Sequence, residues 1–173
     1  MKITGGTLKG YHLNPVPDSR TRYTTSLVRQ AVFNMIDVSQ SSFLELFCGS
    51  AVMSIEALSR GAKHAVAVDI SSKAIKTAIE NAKKCGVELK IVKSDFRKFI
   101  NLCNDNFDVV FADPPYNLGF VQKLLELLSI KPSLGQIIII EKAAAEQVVI
   151  PEKLKILKSK KYGETEVLVI ART

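Results

Sequence analysis

The tetrapeptide Asp113-Pro114-Pro115-Tyr116 carries the most specific chemistry in the sequence. Two successive prolines fix two φ angles and remove two backbone donors, so the segment is rigid and its carbonyls are left without local partners. The Asp113 carboxylate and the Pro114 carbonyl can each accept one hydrogen of an exocyclic amine. The Tyr116 ring offers a face on which a planar base can stack. The competing reading is a rigid loop that caps a helix.

Two more apolar runs end in an acid. AVAV runs into Asp69 and IIII into Glu141, as VVFA runs into Asp113. In open α/β sheets a ligand sits outside the carboxyl ends of the strands, so these side chains share one rim. An acid there can also cap the following helix, a reading that weakens when three occur together. The run Glu45-Leu46-Phe47-Cys48-Gly49-Ser50-Ala51 leads into a helical stretch ending near Arg60. Gly49 lets the backbone approach a ligand closely, and the free amides of the helix start favour an anion. Asp69, about 20 residues beyond Gly49, is spaced to accept hydrogen bonds from ribose hydroxyls. Neither GxGxxG nor GxxxxGK[ST] is present, which points to a nucleoside-containing cofactor without a required pyrophosphate.

The elements that must position these residues follow from the hydrophobic pattern. Apolar runs at 43–47, 65–68, 89–92, 109–112 and 137–140 are nearly continuous, as in parallel strands covered on both faces. Helical stretches are expected near 51–60, 72–84, 95–103 and 119–129, giving an α/β doubly wound sheet. Runs at 154–160 and 166–171, joined around Tyr162-Gly163, require an antiparallel hairpin. Five parallel strands followed by an antiparallel pair is the Rossmann-like sheet plan of class I S-adenosylmethionine-dependent methyltransferases. Residues 2–16, with Gly5, Gly6 and Gly10, read as a small β-hairpin. An amphipathic helix follows, with Leu27, Val28, Ala31, Val32, Met35 and Ile36 on one stripe and Thr25 or Ser26 as its cap. The expected organisation is one domain, 1–173: a hairpin and helix extension at 1–42 and the sheet at 43–173.

Composition bounds the partners. The chain has 173 residues, 47% apolar, enough for a real core. Its formal charge of +7 is uneven: residues 1–30 carry +4, residues 151–173 carry +3, and the stretch between is neutral. Basic flanks on a neutral body suit an anionic macromolecule held by peripheral elements, or a merely solvated surface. No apolar run is long enough for a membrane helix, and the start lacks the apolar core of a signal peptide, so a cytoplasmic protein is expected. Cys48, Cys85 and Cys103, with His12 and His64, give no zinc-ligand spacing, so neither a disulfide nor a metal is expected.

With these motifs in place, the chain resembles the RsmD family of 16S ribosomal RNA guanine methyltransferases. The likeness runs nearly end to end: Lys2-Ile3-Thr4-Gly5-Gly6 with Lys9-Gly10, Arg22-Tyr23-Thr24-Thr25 with Val28-Arg29 and Phe33-Asn34, Glu45 to Ser50, Ile55 to Ala62, Asp113 to Tyr116, Glu141, and Tyr162-Gly163-Glu164-Thr165. The resemblance implies that Glu45, Phe47, Gly49, Asp69 and Ile70 hold S-adenosylmethionine, with Asp95 and Phe96 near its adenine. It implies that Asp113, Pro114, Pro115 and Tyr116 hold the target guanine. Lys2, Lys9, Arg20, Arg22, Thr24 and Arg29 are assigned to RNA phosphate or the cofactor carboxylate.

The implied partner is 16S rRNA in a partly assembled small subunit, met by a monomer. Three departures from the family pattern stand out: Glu45 and Asp69 exchange the usual acids, and Ala51 replaces a glycine. Alanine is tolerated wherever φ is negative, so lowered cofactor affinity at most is expected. Two other functions stay open. DNA adenine amino-methyltransferases share Asp-Pro-Pro-Tyr but usually add a DNA-recognition region, and a non-catalytic RNA-binding module would keep only the fold.

Overall fold

The computed structural model describes residues 1–173. Its elements run α1 (Ser26–Met35), β1 (Ser42–Leu46), α2 (Val52–Ser59), β2 (His64–Asp69), α3 (Ser72–Cys85), β3 (Lys90–Lys93), α4 (Phe96–Leu102), β4 (Phe107–Ala112), α5 (Phe120–Ser129), β5 (Leu134–Ala143), β6 (Leu154–Tyr162) and β7 (Thr165–Arg172). The seven strands form one sheet in the order β3-β2-β1-β4-β5-β7-β6. Strands β1 to β5 are parallel, while β7 runs antiparallel to both β5 and β6. The strand order reverses between β1 and β4, which opens the crevice where such sheets bind ligands.

Strand periodicity divides the core. Leu44, Leu46, Val66, Val68, Val110, Ala112, Ile138 and Ile140 project to the face covered by α4 and α5. The alternate residues Phe43, Ala65, Val109, Phe111 and Ile139 meet α1, α2 and the N-terminal segment. Burial on both faces explains why these strands read as continuous apolar runs. The edge strand β3 departs from that pattern: it pairs only with β2, and its residues are half-buried or exposed.

The N-terminal segment is a compact loop, not the expected two-stranded hairpin. Its ladder is reduced to one antiparallel bridge between Lys2 and His12. Gly6 and Gly10, both at positive φ, spend the intervening residues on turns. A Cβ at Gly6 would lie 2.0 Å from the Ser59 carbonyl oxygen, so only glycine lets the loop approach the end of α2 this closely. Thr25 caps α1 by accepting from the Val28 amide at 3.3 Å. Ile3, Leu13, Val28, Val32 and Phe33 then join the same apolar cluster as β1 and β4. No helix is long and apolar enough to cross a membrane.

Candidate active site

Register brings the acids together. Phe111 and Ile139 are Cα partners in the β4–β5 ladder, so Asp113 and Glu141, two residues beyond each, emerge side by side on one face. Both side chains are largely withdrawn from solvent, Asp113 at 9% and Glu141 at 2% exposure. The segment before α1 lies across them. The Arg22 guanidinium donates from Nη1 to Glu141 Oε1 at 3.0 Å and from Nη2 to Asp113 Oδ1. Its Cζ lies 3.7 Å from the centre of the Tyr116 ring. The Thr24 hydroxyl bridges the same acids, 3.0 Å from Glu141 Oε2 and 3.3 Å from Asp113 Oδ2. Tyr116 is fixed in turn by a 2.7 Å hydrogen bond between its hydroxyl and Thr165 Oγ1 at the start of β7.

Two negative charges packed this closely, away from water, resist ionising together. Burial first, and the Glu141 charge second, push the Asp113 carboxyl up to about 7, against the opposing pull of Arg22 and Thr24. Burial also raises the Tyr116 phenol. The result is a polar, nearly dry acceptor pair beneath an aromatic face, suited to a planar group with several N–H donors on one edge.

Next to this pair, β1 turns into α2 through Phe47, Gly49 and Ala51, all at positive φ. The Gly49 amide donates to Asp69 Oδ2 at 2.9 Å, and the Ser71 amide donates to Asp69 Oδ1 at 2.9 Å. Asp69 therefore fixes the glycine loop, while each of its oxygens keeps lone-pair capacity for a hydroxyl. Glu45 is fully buried; its Oε1 accepts from the Ser54 amide at 2.9 Å and from the Ser54 hydroxyl at 2.6 Å, tying β1 to the first turn of α2. Burial lifts its carboxyl to about 8. Asp95 caps α4 and grips Arg97, whose hydrogen bonds hold that carboxyl down at about 2. Phe96 packs inward against Phe47 and Phe120, while Ile70 stands exposed beside Asp69.

Three sequence expectations change. Ala51 sits at φ +64° and ψ 27°, not at negative φ, so its methyl is held in a conformation that favours glycine. It is buried with Cys48, Ala67 and Ala78. Arg29, assigned above to RNA phosphate or the cofactor carboxylate, is turned inward. It is 2% exposed and paired at 3.3 Å with the wholly buried Glu56, and it donates to the carbonyls of Thr24 and Lys2. Arg172, one of the six basic residues behind the charge of the 151–173 flank, donates to the carbonyls of Leu128, Lys131, Leu134 and Gly135 and closes the end of α5.

Glu56 is the anchor that sequence reasoning missed. It also accepts from the Thr4 amide at 2.9 Å and pairs with Arg60 at 3.3 Å, clamping the N-terminal loop and α1 to α2. Of the remaining basic residues, Lys2 and Lys9 are exposed, and Arg20 is exposed but forked onto Asp18. Lys153, Lys155, Lys158, Lys160 and Lys161 form an exposed row at and before the outer strand β6, whose C-terminal end pairs with Thr165 near Tyr116.

Known proteins are similar to this chain over most of its length. The Buchnera aphidicola (subsp. Acyrthosiphon pisum) ribosomal RNA small subunit methyltransferase D is 29% identical over 164 residues, 91% of this chain and 86% of that protein. YlbH of Bacillus subtilis is 31% identical across 98% of this chain and 97% of its own length. The yhhF protein of Escherichia coli superposes with a TM-score of 0.89 at 26% identity, covering 99% of this chain and 97% of that one. A family model, conserved hypothetical protein 95, matches residues 1–171. With Asp113, Tyr116 and Glu141 brought together beyond β4 and on β5, and Asp69 at the end of β2 on the same edge of a methyltransferase-type sheet, the chain belongs to that family, the RsmD family.

Proposed function

We infer that this chain transfers a methyl group from S-adenosylmethionine to the exocyclic amine of a guanine in small-subunit ribosomal RNA. The observation that carries the reading is the pair of acceptors Asp113 and Glu141, joined through Arg22 to the face of Tyr116 on the sheet edge that also carries the Gly49 loop, with the rigid Pro114 carbonyl assigned as the second acceptor for the amine. That loop fits the cofactor: a Cβ built at Gly49 meets nothing within 4 Å, and Asp69 has lone pairs for ribose hydroxyls. Asp69, Gly49, Phe47 and Ile70 would hold the nucleoside, with Asp95 and Phe96 at the adenine end. Glu45 acts through Ser54 on the start of α2.

The guanine amine is a poor nucleophile because its lone pair is delocalised into the ring. Hydrogen bonds from its two hydrogens to Asp113 and the Pro114 carbonyl favour a pyramidal nitrogen and stabilise the positive charge that develops there. When bound, S-adenosylmethionine would supply a methyl group from its sulfonium sulfur, the sulfur keeping the bonding pair and the amine nitrogen giving up a proton in exchange. Tyr116, held by Thr165, stacks on the base once it has left its own stack.

The RNA reading draws support from the relatives named as small-subunit rRNA methyltransferases and from the exposed lysines of β6, which lead to the catalytic rim. A monomer working in the cytoplasm on a partly assembled subunit is consistent with so small a chain, which can take its specificity from the shape of the ribonucleoprotein. The test is Asp113→Ala. Transfer should drop by a factor of about 100 or more while S-adenosylmethionine still binds, and a fully active variant would refute the assignment.

A further inference from the structure

Arg22 sits where the target base is inferred to go. Its Cζ lies 3.7 Å from the centre of the Tyr116 ring, one amino group reaches Asp113, and the other reaches Glu141. A guanidinium shares its shape and donor pattern with one edge of guanine, where the exocyclic amine and the ring N1–H project from neighbouring atoms. Laid over that edge, Nη2 corresponds to the exocyclic nitrogen at Asp113 and Nη1 to N1 at Glu141. Adenine and cytosine pair their amine with a ring nitrogen that accepts instead of donating, which would set a lone pair against the buried Glu141 carboxylate.

We propose, building on the guanine reading above, that Asp113 and Glu141 together read this two-donor edge, with Glu141 selecting the base, and that Arg22 is an internal stand-in which the base displaces. Thr24 holds the two carboxylates in register by bonding to both. Arg22 is suited to leaving, because its side chain is 37% exposed and lies in the irregular segment before α1. Until the base arrives, it keeps two buried carboxylates paired, which would otherwise be costly.

Methylguanidine, added to the full chain, tests the stand-in. With Arg22→Ala, it should bind saturably by calorimetry or NMR titration, at least tenfold tighter than to the unaltered protein, and should inhibit methyl transfer competitively with RNA. An Arg22 that grips phosphate or cofactor would give the opposite sign, rescue of transfer by methylguanidine. Rescue, or equal binding to both proteins, overturns the proposal. Arg22→Lys, which keeps a charge but loses the planar fork, is the second variant should the alanine form fold poorly, and the same tightening is expected of it.

The role of Glu141 is read with RNA carrying 2-aminopurine at the target position, which keeps the amine but lacks N1–H. The unaltered enzyme should favour guanine at least a hundredfold in kcat/KM, and Glu141→Gln should cut that ratio at least tenfold. An unchanged ratio removes Glu141 from selection. Guanine transfer by the unaltered enzyme is measured in the same series, so a failure of the guanine reading itself would appear separately as absent methylguanosine.

Discussion

Replacing Glu141 with glutamine should move the acid limb of the pH–rate profile. Thr24 Oγ1 is 3.0 Å from Glu141 Oε2 and 3.3 Å from Asp113 Oδ2, so these oxygens can be no more than about 6.3 Å apart. At an effective dielectric of about 20, two unit charges at that separation repel by about 2.6 kcal/mol, or roughly 2 pKa units. Asp113 must be ionised to accept from the amine, and its carboxyl stands at about 7. Transfer by the unaltered enzyme should therefore fall as pH drops through about 7. Glu141→Gln removes the repelling charge and leaves Arg22 to serve Asp113 alone, so both changes favour the carboxylate. At the same dielectric the limb should shift to about pH 5.

The assay is kcat/KM for methyl transfer between about pH 4.5 and 9, which reports groups of the free enzyme. The limb reports Asp113 in the field of its neighbours, so the direction and size of the shift carry the test. A variant that loses activity at every pH with its acid limb still near 7 would refute the coupling.

Other variants check the frame around the site. Glu56→Ala should destabilise the fold by about 3–5 kcal/mol in urea unfolding, because it strands the buried Arg29 charge; a destabilisation below about 1 kcal/mol would remove Glu56 as the clamp. Ala51→Gly relieves a left-handed residue by about 1–2 kcal/mol but removes a buried methyl and gains unfolded-chain freedom, so stability should change by less than about 1 kcal/mol. Ala51→Val, with a branched side chain at the same positive φ, should cost about 3 kcal/mol or more, and a tolerated valine would contradict the backbone reading. Replacing Lys155, Lys158, Lys160 and Lys161 with serine should weaken RNA binding and reduce the slope of log affinity against log salt by about 0.7–0.9 for each phosphate no longer neutralised. An unchanged slope would make the β6 lysines a guard against edge-to-edge pairing only.

The sheet and its acid rim are legible in the sequence because both follow from period-two burial and from strand ends, which are local properties. The approximate placing of all seven strands and the antiparallel closure come from that pattern, and the β4–β5 register explains why Asp113 and Glu141 share a face. The partners of those acids are not legible. Arg22 and Thr24 reach them across 91 and 117 residues of separation, and nothing in their local sequence distinguishes a fork between two acids from a grip on phosphate. Arg29 shows the same ambiguity with the opposite outcome, since its burial depends on Glu56 standing on another helix. The backbone at residue 51 escapes a sequence reading because alanine ordinarily adopts negative φ. Only the sharp turn from β1 into α2 forces this one to positive φ.

Methyl transfer from labelled S-adenosylmethionine tests the central claim most directly, with small ribosomal subunits lacking this modification, protein-free rRNA and double-stranded DNA offered in parallel and the products resolved as nucleosides. Label is expected on the exocyclic amine of guanosine, from subunits and not from DNA. Label on DNA adenine, or no label on any substrate, would contradict it.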